Sequence, residues 1–72
     1  MNAPATIDVA LDGQSRRIPA GTTLAALVAD LGYAAGAVGT AVNGRFVARA
    51  MREALELRSG DSVLLFQPIA GG

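Results

Sequence analysis

The sequence predicts an α+β domain, a mixed sheet of four to five strands with one main helix packed on one face. Three observations point to it. Apolar residues alternate over Thr6 to Asp12, the period of a half-buried strand. At Leu24, Leu27, Val28 and Leu31 the spacing switches to i, i+3, i+4 and i+7, one stripe of a helix. Between strand-like runs stand Asp12-Gly13 and Asn43-Gly44, pairs that accept the positive φ angles of tight hairpin turns.

Taken in order, the first strand puts Ile7, Val9 and Leu11 on one face and Asp8 and Ala10 on the other. Gln14 to Pro19 returns as its partner, with Ile18 inward. Arg16 and Arg17 on that strand read as a solvated face in preference to a small anion site. Pro19-Ala20-Gly21 breaks the sheet, and Thr22 or Thr23 can cap the free amides of the following helix. Gly32 is placed to stop that helix after Leu31. Tyr33 to Gly39 is rich in alanine and glycine without a period, which predicts a loop. Gly32, Gly36 and Gly39 lack the spacing and the strand-to-helix context of a phosphate-binding loop. Thr40-Ala41-Val42 and Arg45-Phe46-Val47 form two short strands around the second turn. Ala48 to Leu57 fits either a helical turn or irregular chain closing on a short strand near Leu55–Leu57. Arg58-Ser59-Gly60-Asp61 then turns the chain into its last strand, from Val63.

A first hairpin, a helical crossover and a last strand beside the first describe the β-grasp arrangement. In it Val63 and Leu65 face the helix, while Leu64 and Phe66, one residue out of phase, face the other side. Phe66 is then an exposed apolar ring unless the Ala48 to Leu57 segment covers that face. Pro68 has no amide hydrogen, so the strand ends by Gln67. Pro68, Ile69, Ala70, Gly71 and Gly72 follow as a thin arm, expected to be flexible. Without β-carbons, Gly71 and Gly72 fit a slot too narrow for any other residue.

Composition removes several function classes. The 72 residues are expected to make one small domain near the lower size limit for folding on a single core. Formal net charge is zero, which gives no electrostatic case for nucleic acid or an anionic membrane as partner. The chain has no Cys and no His, so disulfides, a structural zinc site and nucleophile–base pairs on those residues are not expected. All six basic residues are Arg, and Asp30, Glu53 and Glu56 read as solvated charges. No catalytic residue or metal ligand is assigned, and a stand-alone enzyme is not expected. Met1-Asn2-Ala3-Pro4 carries no secretory pattern and no apolar run reaches the roughly 20 residues that span a bilayer, so a cytoplasmic location is expected.

The whole chain resembles the ThiS/MoaD family of ubiquitin-like sulfur carrier proteins, and its ThiS branch more than its MoaD branch. The residues that carry the resemblance are Pro19-Ala20-Gly21-Thr22-Thr23-Leu24, Ala41-Val42-Asn43-Gly44, Gly60-Asp61-Ser62-Val63 and, above all, the run from Leu64 through Phe66 to Gly72. Pro68 leans toward MoaD, the small subunit of molybdopterin synthase. The resemblance implies a ubiquitin-like β-grasp fold over 1–72 with Gly72 as the reacting residue. An E1-like adenylating enzyme of the ThiF type would activate the Gly72 carboxylate with ATP, and the carrier itself would bind no cofactor. A cysteine desulfurase would indirectly supply the sulfur for a thiocarboxylate, and a ThiG-type thiazole synthase would take it. Leu64 and Phe66 would form the partner surface, Pro68 to Gly71 would thread the tail, and the free protein would be a monomer. Two other readings stay open: a carrier for molybdopterin synthase, and a modifier conjugated to lysines in the manner of ubiquitin.

Overall fold

The computed structural model describes residues 5–67. Thr6–Leu11 (β1) and Gln14–Pro19 (β2) pair antiparallel, with Asp12 at φ 50° and Gly13 at φ 85° making the turn. Leu24–Asp30 (α1) follows. Thr23 caps it, accepting the Ala26 N–H at 3.1 Å, while Thr22 donates to the Pro19 carbonyl at 2.6 Å. Gly32, at φ 90°, ends the helical path where the spacing predicted. Gly39–Val42 (β3) and Arg45–Val47 (β4) form the second hairpin across Asn43-Gly44, and Ser62–Phe66 (β5) closes the fold.

The strand order is β2-β1-β5-β3-β4. β5 runs parallel to β1 and antiparallel to β3, so the last strand is central and the sheet is mixed. This is the β-grasp arrangement. Ile7, Val9, Ile18, Val42, Val47 and Val63 line the helix side of the sheet and pack with Leu24, Leu27 and Leu57. Val28 is buried and Leu31 half-buried, so the stripe read from the sequence is the core face of α1.

Two segments differ from their sequence reading. Tyr33 to Gly39 is not a plain loop: Ala35–Ala37 is a 3₁₀ turn, Val38 is buried and Gly39 already belongs to β3. The ordering comes from outside the segment, through Arg52, so no local period announces it. The ambiguity over Ala48 to Leu57 resolves into a 3₁₀ helix at Arg49–Ala54, packed beside α1. In place of a strand at Leu55–Leu57 there is one isolated bridge, Glu56 to Thr23. Leu24 N–H to Leu55 O (2.9 Å) and Leu57 N–H to Thr22 O (2.9 Å) flank it and bring Leu57 into the core.

Candidate functional site

β5 delivers the chain to Gln67, the last described residue, and what surrounds its final residues is the candidate site. Strand alternation decides which side chains show. Val63 is fully buried and Leu65 half-buried toward α1, while Leu64 (46% exposed) and Phe66 (44%) lie on the opposite face. Because the Arg49–Ala54 helix packs beside α1, it does not cover that face, and Phe66 is not core. Phe46, opposite Ala41 in the β3–β4 ladder, joins them at 69% exposed. Its ring centroid is 6.5 Å from that of Phe66, with the planes tilted by 43°. Two aromatic rings, Leu64 and the small Ala41 between them make an apolar patch at the root of residues 68–72.

Three further residues shape this patch. Gly39 lies opposite Phe66, and the ring occupies the space a side chain at 39 would need. Asp12 accepts the Leu65 N–H on its Oδ1 at 3.0 Å. Arg52, only 4% exposed, anchors the chain that leads into β3. Its Nε donates to Thr40 Oγ1 (3.0 Å), Nη1 to the Ala35 carbonyl (2.8 Å) and Nη2 to the Val38 carbonyl (2.7 Å). Thr40 Oγ1 in turn donates to the Val47 carbonyl at 2.9 Å, linking the arginine to β4.

Of the residues singled out in the sequence, Leu64 and Phe66 come together as described, whereas Pro68, Ile69, Ala70, Gly71 and Gly72 lie outside the described residues. Arg17 forms an exposed ion pair with Asp8 (3.1 Å), and Arg16 is exposed beside it. Asp30, Glu53 and Glu56 are exposed. Arg52 breaks the rule applied to the other charges, since it is buried. Sequence reasoning also missed Phe46, although its place two residues after Asn43-Gly44 fixes its face by alternation from the turn. Among the described residues, no group of three or more Asp or Glu gathers as a metal-ligand set, and no helix is long and apolar enough to cross a membrane.

Comparison with known proteins agrees with this fold. The sequence model of the ThiS family matches residues 6–72. No curated protein matches. A crystal structure of the thiamine biosynthesis protein ThiS from Geobacter metallireducens superposes with a TM-score of 0.81 at 22% identity, covering 92% of this chain and all of that one. An NMR solution structure of a thiamine biosynthesis protein from the same organism gives 0.73, also at 22% identity, covering 92% of this chain and 88% of that one. At that identity the two structures speak for the fold.

Proposed function

This chain belongs to the ThiS family, and on that premise we propose that it is a sulfur carrier of thiamine (thiazole) biosynthesis, with the Gly72 carboxylate as the carrying group. It acts as a protein cosubstrate and not as an enzyme. The observation that carries this reading is the family match running through Gly71 and Gly72. The chemistry requires a carboxylate that can be activated. A carboxylate is a poor electrophile, so one of its oxygens must first attack the α-phosphorus of ATP, releasing pyrophosphate and leaving an acyl-adenylate. AMP is then a leaving group that the terminal sulfur of a desulfurase-derived persulfide can displace, exchanging a C–O for a C–S bond in an acyl disulfide. A second thiol then cleaves the S–S bond, leaving as a disulfide and releasing the thiocarboxylate.

The adenylating partner, of the ThiF type, binds the ATP. It must also enclose the acyl-adenylate away from water. Gly72 stands five residues beyond Gln67, a reach of at most about 18 Å even fully extended. The partner therefore sits close to the end of β5, where Leu64, Phe66 and Phe46 offer apolar contact. We read residues up to 67 as one β-grasp unit and 68–72 as the arm that reaches the active site. A thiazole synthase of the ThiG type then takes the sulfur.

The test is to incubate the chain with ATP, the adenylating enzyme of its own organism, cysteine, a desulfurase and a thiol reductant. Pyrophosphate exchange and an intact mass raised by one oxygen-to-sulfur replacement are expected, followed by return to the parent mass when thiazole synthase turns over. Absence of both exchange and mass change would refute the reading. Consumption of the thiocarboxylate by molybdopterin synthase instead would keep the carrier and change its acceptor.

A further inference from the structure

Asp12 and Asn43 open the two hairpin turns, both at positive φ (50° and 53°). Each also lends its side chain to the backbone of β5. At the start of the strand, Asn43 Oδ1 accepts the Ser62 N–H at 2.9 Å and Asn43 Nδ2 donates to Asp61 Oδ1 at 3.0 Å. Toward its end, Asp12 Oδ1 accepts the Leu65 N–H at 3.0 Å.

The second contact meets a need created by topology. The parallel ladder between β1 and β5 covers only Ala10–Ser62 and Leu11–Val63, followed by the Asp12 N–H to Val63 O bond at 2.9 Å. There β1 turns away into β2. Backbone groups alternate sides along a strand, so the Leu65 N–H points like the Val63 carbonyl toward β1, where no strand remains. The Asp12 carboxylate stands in for it. On the other side β5 is held by β3 as far as the Gly39–Phe66 pair.

We propose that Asp12 is a positioning residue for the C-terminal carboxylate: its side chain extends the β1 side of the ladder by one hydrogen bond and fixes the end of β5, from which the chain continues to Gly72. The proposal rests on the carrier reading. Were β5 to open back past Leu65, more residues would separate the held part of the strand from Gly72, and the concentration of the carboxylate in a partner's site would fall.

Two substitutions separate the turn from the hydrogen bond. Asp12→Gly keeps the positive φ and removes the acceptor, while Asp12→Asn keeps both. Residue-resolved amide exchange measures Leu65, and pyrophosphate exchange with the adenylating enzyme at sub-saturating carrier measures kcat/KM. Asp12→Gly is expected to lower Leu65 protection, and kcat/KM with it, by about two- to tenfold, the worth of one solvent-accessible hydrogen bond. Asp12→Asn should restore both. The proposal is overturned if Asp12→Gly leaves either quantity at the parent value, or if Asp12→Asn falls as far as Asp12→Gly, which would mean charge and not position. Should the parent itself show no pyrophosphate exchange, the carrier reading fails, while Leu65 protection still decides whether Asp12 holds the strand end.

Discussion

Gly39 stands directly across the ladder from Phe66, and the aromatic ring lies where the glycine has no side chain. A β-carbon built at 39 would come within 2.6 Å of Phe66 Cζ, with Cε2 nearer still. Gly39 is buried under this ring although it is on the open face of the sheet. An aromatic laid over a cross-strand glycine shields backbone that would otherwise be bare. The pairing also sets the direction of the ring, since it can lie flat only while position 39 stays empty.

Gly39→Ala is therefore expected to move the Phe66 ring more than it harms the fold. The ring is half exposed and can swing outward, so the cost in stability should stay near that of a displaced rotamer, about 0.5–1.5 kcal/mol. The effect on the adenylating enzyme should be larger, because the patch changes shape. A double-mutant cycle checks the mechanism: once Phe66 is alanine, Gly39→Ala should weaken binding no further. Additive losses would show that Gly39 acts by some route other than Phe66.

Phe66→Ala tests the patch itself. With Phe66 at 44% exposed and outside the core cluster, truncation should change the melting temperature little. Affinity for the adenylating enzyme should fall by about 1–3 kcal/mol, the scale of an aromatic anchor. A calorimetric titration and a melting curve on the same sample separate the outcomes. Lost stability with unchanged affinity per folded molecule would return Phe66 to the core.

Much of this was legible in the chain. The alternation at Ile7, Val9 and Leu11, the helical stripe, the two Asx-Gly turns and the phase of Leu64 and Phe66 each depend on neighbours in sequence, and each is where local pattern put it. What was not legible depends on partners far along the chain. Nothing near Arg52 singles it out, because its acceptors at Thr40, Ala35 and Val38 come from residues that meet it only after folding. The order in 35–39 is invisible for the same reason. Asp12 was recognised for its backbone angle, yet nothing nearby indicates that its carboxylate serves Leu65, 53 residues away.

Leu27→Ala should destabilise the fold by about 2–5 kcal/mol, the range for truncating a buried leucine. Leu27 is 1% exposed and lies in the cluster between α1 and the sheet. In a chain of this size such a loss takes a large share of total stability, so a substantial unfolded fraction at ambient temperature is expected. Chemical denaturation reads it directly, and a midpoint equal to the parent's would mean that the helix does not rest on the sheet through this residue.

Arg52→Met keeps most of the side-chain length while removing the donors. Three acceptors then lose their partner: Thr40 Oγ1 and the Ala35 and Val38 carbonyls. A buried acceptor left unpaired costs about 1–3 kcal/mol. Thr40 keeps its own donation to Val47, and water can reach the part-buried Ala35 contact. The net loss is therefore expected at about 2–4 kcal/mol, nearer one or two stranded acceptors than three. Amide protection should fall first over 35–40. Loss spread evenly over the sheet would show that Arg52 supports the whole core and not the entry to β3.

The last prediction concerns the length of the chain beyond Gln67. If the terminal carboxyl carbon is the atom that reacts, its position depends on the number of residues between the end of β5 and the terminus. Removing Gly72 shortens the arm by about 3.3–3.6 Å, and adding one residue lengthens it by the same amount. Either displacement exceeds the tolerance of a reaction that needs its atoms aligned within roughly 3–3.5 Å of each other. Both variants should keep the parent melting curve, because neither touches residues 5–67, while pyrophosphate exchange drops to background. An added residue also buries the Gly72 carboxyl in a peptide bond, so that variant alone does not separate chemistry from reach. Inserting one glycine between Gln67 and Pro68 does, since the terminal Gly-Gly stays intact and only its distance from Phe66 changes. Exchange at the parent rate by the insertion variant would show that the partner binds the tail independently of the sheet.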